Sequence, residues 1–124
     1  MARTVLSYLF AVLLGLGALG HVVNPEFYAP MVPAPIPLVL ANVLSTVVEG
    51  ALALLIIWPA TRRWGVIGFT ALMVAFMPIH LWDLVRETPA VGSHAAAWVR
   101  LALQILLIGL GAWVARLSPR PSEG

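Results

Sequence analysis

The sequence contains no cysteine and no lysine. Without cysteine there is no disulfide framework, no thiolate metal site and no cysteine redox relay. Charge is scarce as well: only 10% of the 124 residues are charged, and the net charge is +2. The seven basic residues are arginines at positions 3, 62, 63, 86, 100, 116 and 120. They form no run or stripe, so the sequence pI of about 9.9 is not a nucleic-acid signature. The chain holds no glycine-rich phosphate loop, no Ser/His/Asp constellation and no zinc-protease motif.

What it does have is apolar residues, 61% of the chain, with a mean hydropathy of +0.98. A core this small cannot hide that many from water. The composition therefore argues against a soluble domain and against disorder, and the length leaves no room for a second domain.

A bilayer-spanning helix needs about 20 mostly apolar residues. Four segments qualify, at 4–23, 38–58, 65–85 and 96–115. The predicted fold is an all-α, antiparallel bundle of four transmembrane helices. Pro25, Pro30, Pro33, Pro35 and Pro37 crowd the first connection, and Pro59 with Arg62 and Arg63 marks the second. Pro89, Gly92 and Ser93 mark the third, and the polar tail at 118–124 reads as flexible. Arg3, the apolar run after it and Ala18-Leu19-Gly20 also resemble a secretory signal. The length of the run and the three spans after it favour a spanning helix.

Arginine placement sets the orientation. Arg3, Arg62, Arg63, Arg116 and Arg120 fall on one side of a four-span chain, and Arg86 and Arg100 on the other. The positive-inside rule then puts both termini in the cytoplasm. Trp58 and Trp64 suit the inner interface, and Tyr28, Trp82 and Trp98 the outer one. Small residues at Ser7, Ala11 and Gly15, at Ala71 and Ala75, and at Gly109, Gly111 and Ala112 offer close helix packing. Pro78, inside the third segment, predicts a kink and a freed carbonyl that needs a partner within the bundle.

The informative residues are polar ones at membrane depth. Asn42, Ser45, Thr46 and Glu49 share one face of the second helix, and His80 and Asp83 share one face of the third. Arg100 and Gln104 lie four apart on the fourth, and His21 closes the first beside Gly17 and Gly20. At ~1.5 Å per residue, Glu49 lies ~16 Å below the outer surface, near the bilayer centre. An ionised group there costs at least ~2.5–3.5 kcal/mol, so these side chains are expected to face inward and meet in one cluster. Matched depths pair Arg100 with Asp83 and Gln104 with Glu49, with His80 bridging the two levels. His21 reads more simply as an interfacial histidine, and His94 as solvated. His21, Glu49, His80 and Asp83 have the donors for a metal, but they lack paired Glu-x-x-His motifs and have Arg100 nearby. No metal site and no catalytic residue is assigned.

At these residues the sequence resembles the DoxX-like family of small four-helix bacterial membrane proteins, over almost the whole chain. The resemblance is carried by His21 through Tyr28, by the Pro-rich stretch 31–37, and by Ser45 to Glu49 with Thr46 in a glycine place. It continues through Pro59-Ala60-Thr61-Arg62-Arg63, Pro78-Ile79-His80-Leu81 and Arg100-Leu101-Ala102-Leu103-Gln104. His80 stands in an asparagine place and Ala102 in a proline place. The resemblance implies a multi-pass protein of the bacterial plasma membrane, associated with redox systems; the family includes a small subunit of a thiosulfate:quinone oxidoreductase.

Two functional expectations follow. One is a non-catalytic small or accessory subunit of a redox-linked membrane complex, partnered by other membrane subunits or by itself. The other is a quinone- or small-ligand-binding protein. Its site would comprise Glu49, His80, Asp83, Arg100, Gln104 and His21, roofed by Trp82, Trp98 and Tyr28. A transporter would require a dimer, because the four spans show no internal repeat.

Overall fold

The computed structural model describes residues 1–118. The tail expected to be flexible lies, apart from Ser118, outside the described residues, as does Arg120. The described residues are all helical apart from turns and connections: α1 (Ala2–Val23), a 3-10 helix (Pro25–Met31), α2 (Leu38–Ile57), α3 (Arg62–Ala75), α4 (Met77–Val85) and α5 (His94–Leu117). Four helical stretches are long and apolar enough to cross a membrane; α3 and α4 together make the third.

The break between α3 and α4 lies where Pro78 predicts it. Phe76 caps α3, its N–H donating to the Leu72 carbonyl at 3.0 Å, and Pro78 sits in the first turn of α4, where a missing N–H costs nothing. The Pro-rich first connection is more ordered than a plain loop. Pro25 opens a 3-10 helix that packs on α1 and α2.

Neighbouring helices form a closed ring: α1 on α2, α2 on α3, α3 on α5 and α5 back on α1. The core inside it is Phe10, Leu14, Ile56, Val66, Phe69, Met73 and Val114. Phe10 and Phe69 stack at its centre, with ring centroids 4.3 Å apart. Elsewhere the surface is apolar, with leucines, valines and isoleucines of every long helix exposed.

The small-residue ridges are only partly where the pattern put them. Ser7 and Ala11 are buried, but Gly15 and Gly109 face open space, and Ala71 and Ala75 are exposed. Around α3 the close approaches are at Gly65, where an added Cβ would lie 2.7 Å from the Ile56 backbone, and at Gly68 against Leu52 and Gly111 against Thr70.

One end of the bundle is tied by arginines. The last carbonyls of a helix lack intrahelical partners, and here guanidiniums supply them. Arg62 donates to Ile56 O at 2.9 Å and Ile57 O at 3.3 Å at the end of α2. Arg63 donates to Ala115 O at 2.7 Å and Ser118 O at 2.8 Å at the end of α5, and Arg3 donates to Leu117 O. The start of α1, the end of α2, the start of α3 and the end of α5 therefore meet, and the helices run antiparallel.

Candidate functional site

The expected single cluster is two. The first is built by the glycines of α1. An added Cβ at Gly17 would lie 3.1 Å from both Glu49 carboxyl oxygens, and one at Gly20 would lie 2.5 Å from the Tyr28 hydroxyl. The missing side chains let α2 and the 3-10 helix bring Glu49 and Tyr28 against the α1 backbone. His21, one residue on, lies between them. It stacks on the Tyr28 ring with centroids 3.7 Å apart.

A hydrogen-bond chain orients this imidazole. Asn42 Nδ2 donates to the Pro25 carbonyl at 3.2 Å. That choice turns Asn42 Oδ1 toward His21 Nδ1, 2.7 Å away. An amide oxygen only accepts, so Nδ1 carries the proton. His21 Nε2 is left facing Glu49 Oε2 at 3.4 Å. The separation is within ion-pair range but off the hydrogen-bond line, and the buried Oε2 has no hydrogen-bond partner among the described residues. Burial, and then the Glu49 carboxyl, push the Tyr28 phenol above its ordinary value, so it stays protonated. His21 is thus not an isolated interfacial histidine.

The second cluster centres on Asp83, of which only 1% is exposed. Its Oδ2 faces Arg100 Nη1 at 3.5 Å, the pairing that matched depths predict. Its Oδ1 accepts from the Ala90 N–H at 2.6 Å and from Arg86 Nη1 at 3.4 Å. Arg86 was the partner missed, although its position three residues on puts it on the same helix face. Both guanidiniums reach back to the 3-10 helix: Arg86 to the Pro30 carbonyl at 2.5 Å, Arg100 to the Met31 sulfur at 3.6 Å. The 3-10 helix thus lies across both clusters, joining the first through Pro25 and Tyr28 and the second through Pro30 and Met31.

Three expectations need correction. Gln104 does not meet Glu49. Its Nε2 donates to the Met73 carbonyl at 2.8 Å, in the last turn of α3 beside the Pro78 break. The amide serves a carbonyl whose helical donor, the Met77 N–H, belongs to α4 across the break, a demand that depth matching ignores. His80 does not bridge two levels. It is buried within electrostatic reach of Arg100 and Asp83, and its Nδ1 has no described hydrogen-bond partner. Trp98 roofs nothing, being 63% exposed, while Trp82 packs under the Arg86 guanidinium at 4.1 Å. His94, exposed at the start of α5, has its Nε2 2.9 Å from the Arg86 carbonyl and donates to it.

No group of three or more metal-binding side chains occurs among the described residues. An open groove between the Pro-rich connection and α4 is lined by Pro33, Ala34, Pro35, Pro78, Ile79 and Trp82. None of the six predicted site residues lines it. Chemically, the first cluster offers an unpartnered carboxyl oxygen to a polar group, and the second offers two guanidiniums to one carboxylate.

Both clusters fall inside residues 10–116, the stretch matched by the family model described as Domain of unknown function (DUF8561). The chain belongs to the DUF8561 family. The DUF8561 stretch includes every predicted site residue and the whole helical ring except the first two turns of α1 and Leu117 of α5. No curated protein and no solved structure matches the chain.

Proposed function

We propose that this DUF8561 protein is a four-span integral membrane protein of the bacterial plasma membrane with both termini cytoplasmic. We further propose that it is a non-catalytic small or accessory subunit of a membrane complex, redox-linked as the DoxX-like resemblance implies. One observation carries this reading. The apolar exposure extends around all the long helices, while the connections at 58–61 and 86–93 are short and the one at 24–37 is folded onto the bundle. Such a surface belongs in lipid or against other spans, and the described connections carry too little mass to build a soluble active centre. The gathering of Arg3, Arg62 and Arg63 at one end supports the orientation.

The test is gentle extraction from the native membrane followed by native mass spectrometry. A reproducible mass containing other subunits is expected. Migration only as a lone protomer or homo-oligomer overturns the accessory role. The cysteine-free chain suits orientation mapping: single cysteines placed at Ala60 and at Thr88 should label from opposite sides of the membrane.

A second reading, a small-ligand site with a quinone as candidate, draws on a different observation. Glu49 Oε2 and His80 Nδ1 are both buried without hydrogen-bond partners among the described residues. A ligand carbonyl or hydroxyl would complete either one. If Glu49→Gln and His80→Ala leave the binding of a co-purifying isoprenoid unchanged, this reading fails.

A further inference from the structure

The end of the bundle where α1 begins and α5 ends carries the described arginines Arg3, Arg62, Arg63 and Arg116. The described carboxylates lie elsewhere: Glu26 in the 3-10 helix, Glu49 inside α2 against Gly17, Asp83 in α4 and Glu87 beyond it. Glu123 lies outside the described residues. Helix carbonyls hold three of these arginines, but they do not neutralise them. A helix C-terminus is worth about half a negative charge, so the ends of α2 and α5 supply about −1 in total against four guanidiniums.

The guanidiniums are also oriented. Arg62 lies over the Tyr8 ring, 4.8 Å from its centroid, and donates to the Tyr8 hydroxyl at 2.9 Å. Arg63 spends only Nη1 on described acceptors, leaving Nε and Nη2, the pair that forms a fork on phosphate oxygens. Arg3 likewise spends only Nη1. Trp58 and Trp64, both exposed, flank the same end at the level where indoles meet headgroups. Open forks on Arg3 and Arg63, surplus positive charge and flanking indoles suit a phosphate held at a membrane surface; Arg62, whose Nε and Nη2 are spent on Ile56, Ile57 and Tyr8, contributes charge.

We propose that Arg3, Arg62 and Arg63 form a binding site for the phosphate of an anionic phospholipid headgroup. The site rests on the membrane reading above and lies apart from both polar clusters. Its occupant distinguishes this bundle from one that merely tolerates anionic lipid, because the arginines are fixed before the lipid arrives.

The experiment uses the full chain in bilayers of phosphatidylglycerol or of phosphatidylcholine with the same acyl chains, with bound lipid counted by native mass spectrometry. Phosphatidylglycerol is expected to be retained in preference, and Arg3→Gln and Arg63→Gln should each lower that preference about fivefold. Arg63→Lys, which keeps the charge but loses the fork, should fall between Arg63→Gln and the parent. No preference in the parent protein overturns the proposal, whatever the variants do. So does a folded Arg3→Gln/Arg63→Gln protein that keeps the parent preference. Displacement of the lipid by millimolar inorganic phosphate would assign the site to a soluble anion and overturn the lipid source. Failure of the chain to enter either bilayer would instead overturn the membrane reading.

Discussion

His21 Nδ1 lies 2.7 Å from Asn42 Oδ1, and Asn42 is itself turned by the Pro25 carbonyl 3.2 Å from its amide nitrogen. One backbone oxygen at the start of the 3-10 helix therefore decides which nitrogen of a half-buried imidazole carries the proton. In nitrogen-15 spectra of the labelled protein, His21 is expected as the Nδ1-protonated ring when neutral. Asn42→Leu should abolish that preference and cost about 1–3 kcal/mol, because His21 and the Pro25 carbonyl lose their partner. A neutral Nε2-protonated His21 in the parent protein would refute the chain.

Gly17→Ala should stabilise less than Gly15→Ala or destabilise, since the new methyl meets both Glu49 oxygens at 3.1 Å and offsets the gain in helix propensity. Shortening the carboxyl removes the conflict. A double-mutant cycle of Gly17→Ala with Glu49→Ala, followed by reversible unfolding in mixed micelles, should show a coupling of about 0.5–3 kcal/mol.

The two exposed glycines should show no such offset. Gly15→Ala and Gly109→Ala add a methyl to open space and should stabilise by up to about 1 kcal/mol each through helix propensity. Gly111→Ala drives a methyl against Thr70, whose hydroxyl is committed to the Val66 carbonyl at 2.9 Å, and should destabilise. Midpoints from the same unfolding assay separate the three.

Gln104→Leu should cost about 1–3 kcal/mol by leaving the Met73 carbonyl unpartnered at the helix break. With Pro78→Ala the backbone can close that break itself. The double variant should therefore lose less than the sum of the singles.

Tyr28 supplies a pH prediction. Its phenol is pushed above the ordinary value of 10.0, so the folded chain holds that proton more tightly than the unfolded one. The stability it contributes is complete below pH 10 and is lost as pH rises through the folded value. Tyr28→Phe should flatten the decline in unfolding midpoint above about pH 10. An unchanged decline would place its origin elsewhere.

The helices were legible because apolar runs of spanning length leave few alternatives, and the α3–α4 break was legible because a proline has no N–H to offer. The Asp83–Arg100 pair followed from depth, a one-dimensional quantity that a sequence carries. The Glu49 neighbourhood did not, because depth says nothing of azimuth. Which neighbour Glu49 meets depends on Gly17 and Gly20 opening α1, a three-dimensional fit that Gly15, equally small, does not share. Gln104 was misplaced because a polar side chain in a helix can serve a neighbour's backbone as readily as another side chain. The two clusters looked like one because nothing in spacing shows the 3-10 helix taking separate ligands at its two ends.

Arg62 and Arg63 are adjacent in sequence but donate to different helices, one to the end of α2 and the other to the end of α5. During synthesis the partners of Arg62 are made before it, whereas those of Arg63 and Arg3 exist only once the last helix has emerged. The first hairpins can settle early, but the ring has no closure until α5 arrives. Helix α5 is the latch of assembly, and a chain halted before it would expose the α3 face bearing Phe69 and Thr70 to whatever apolar neighbour is nearest.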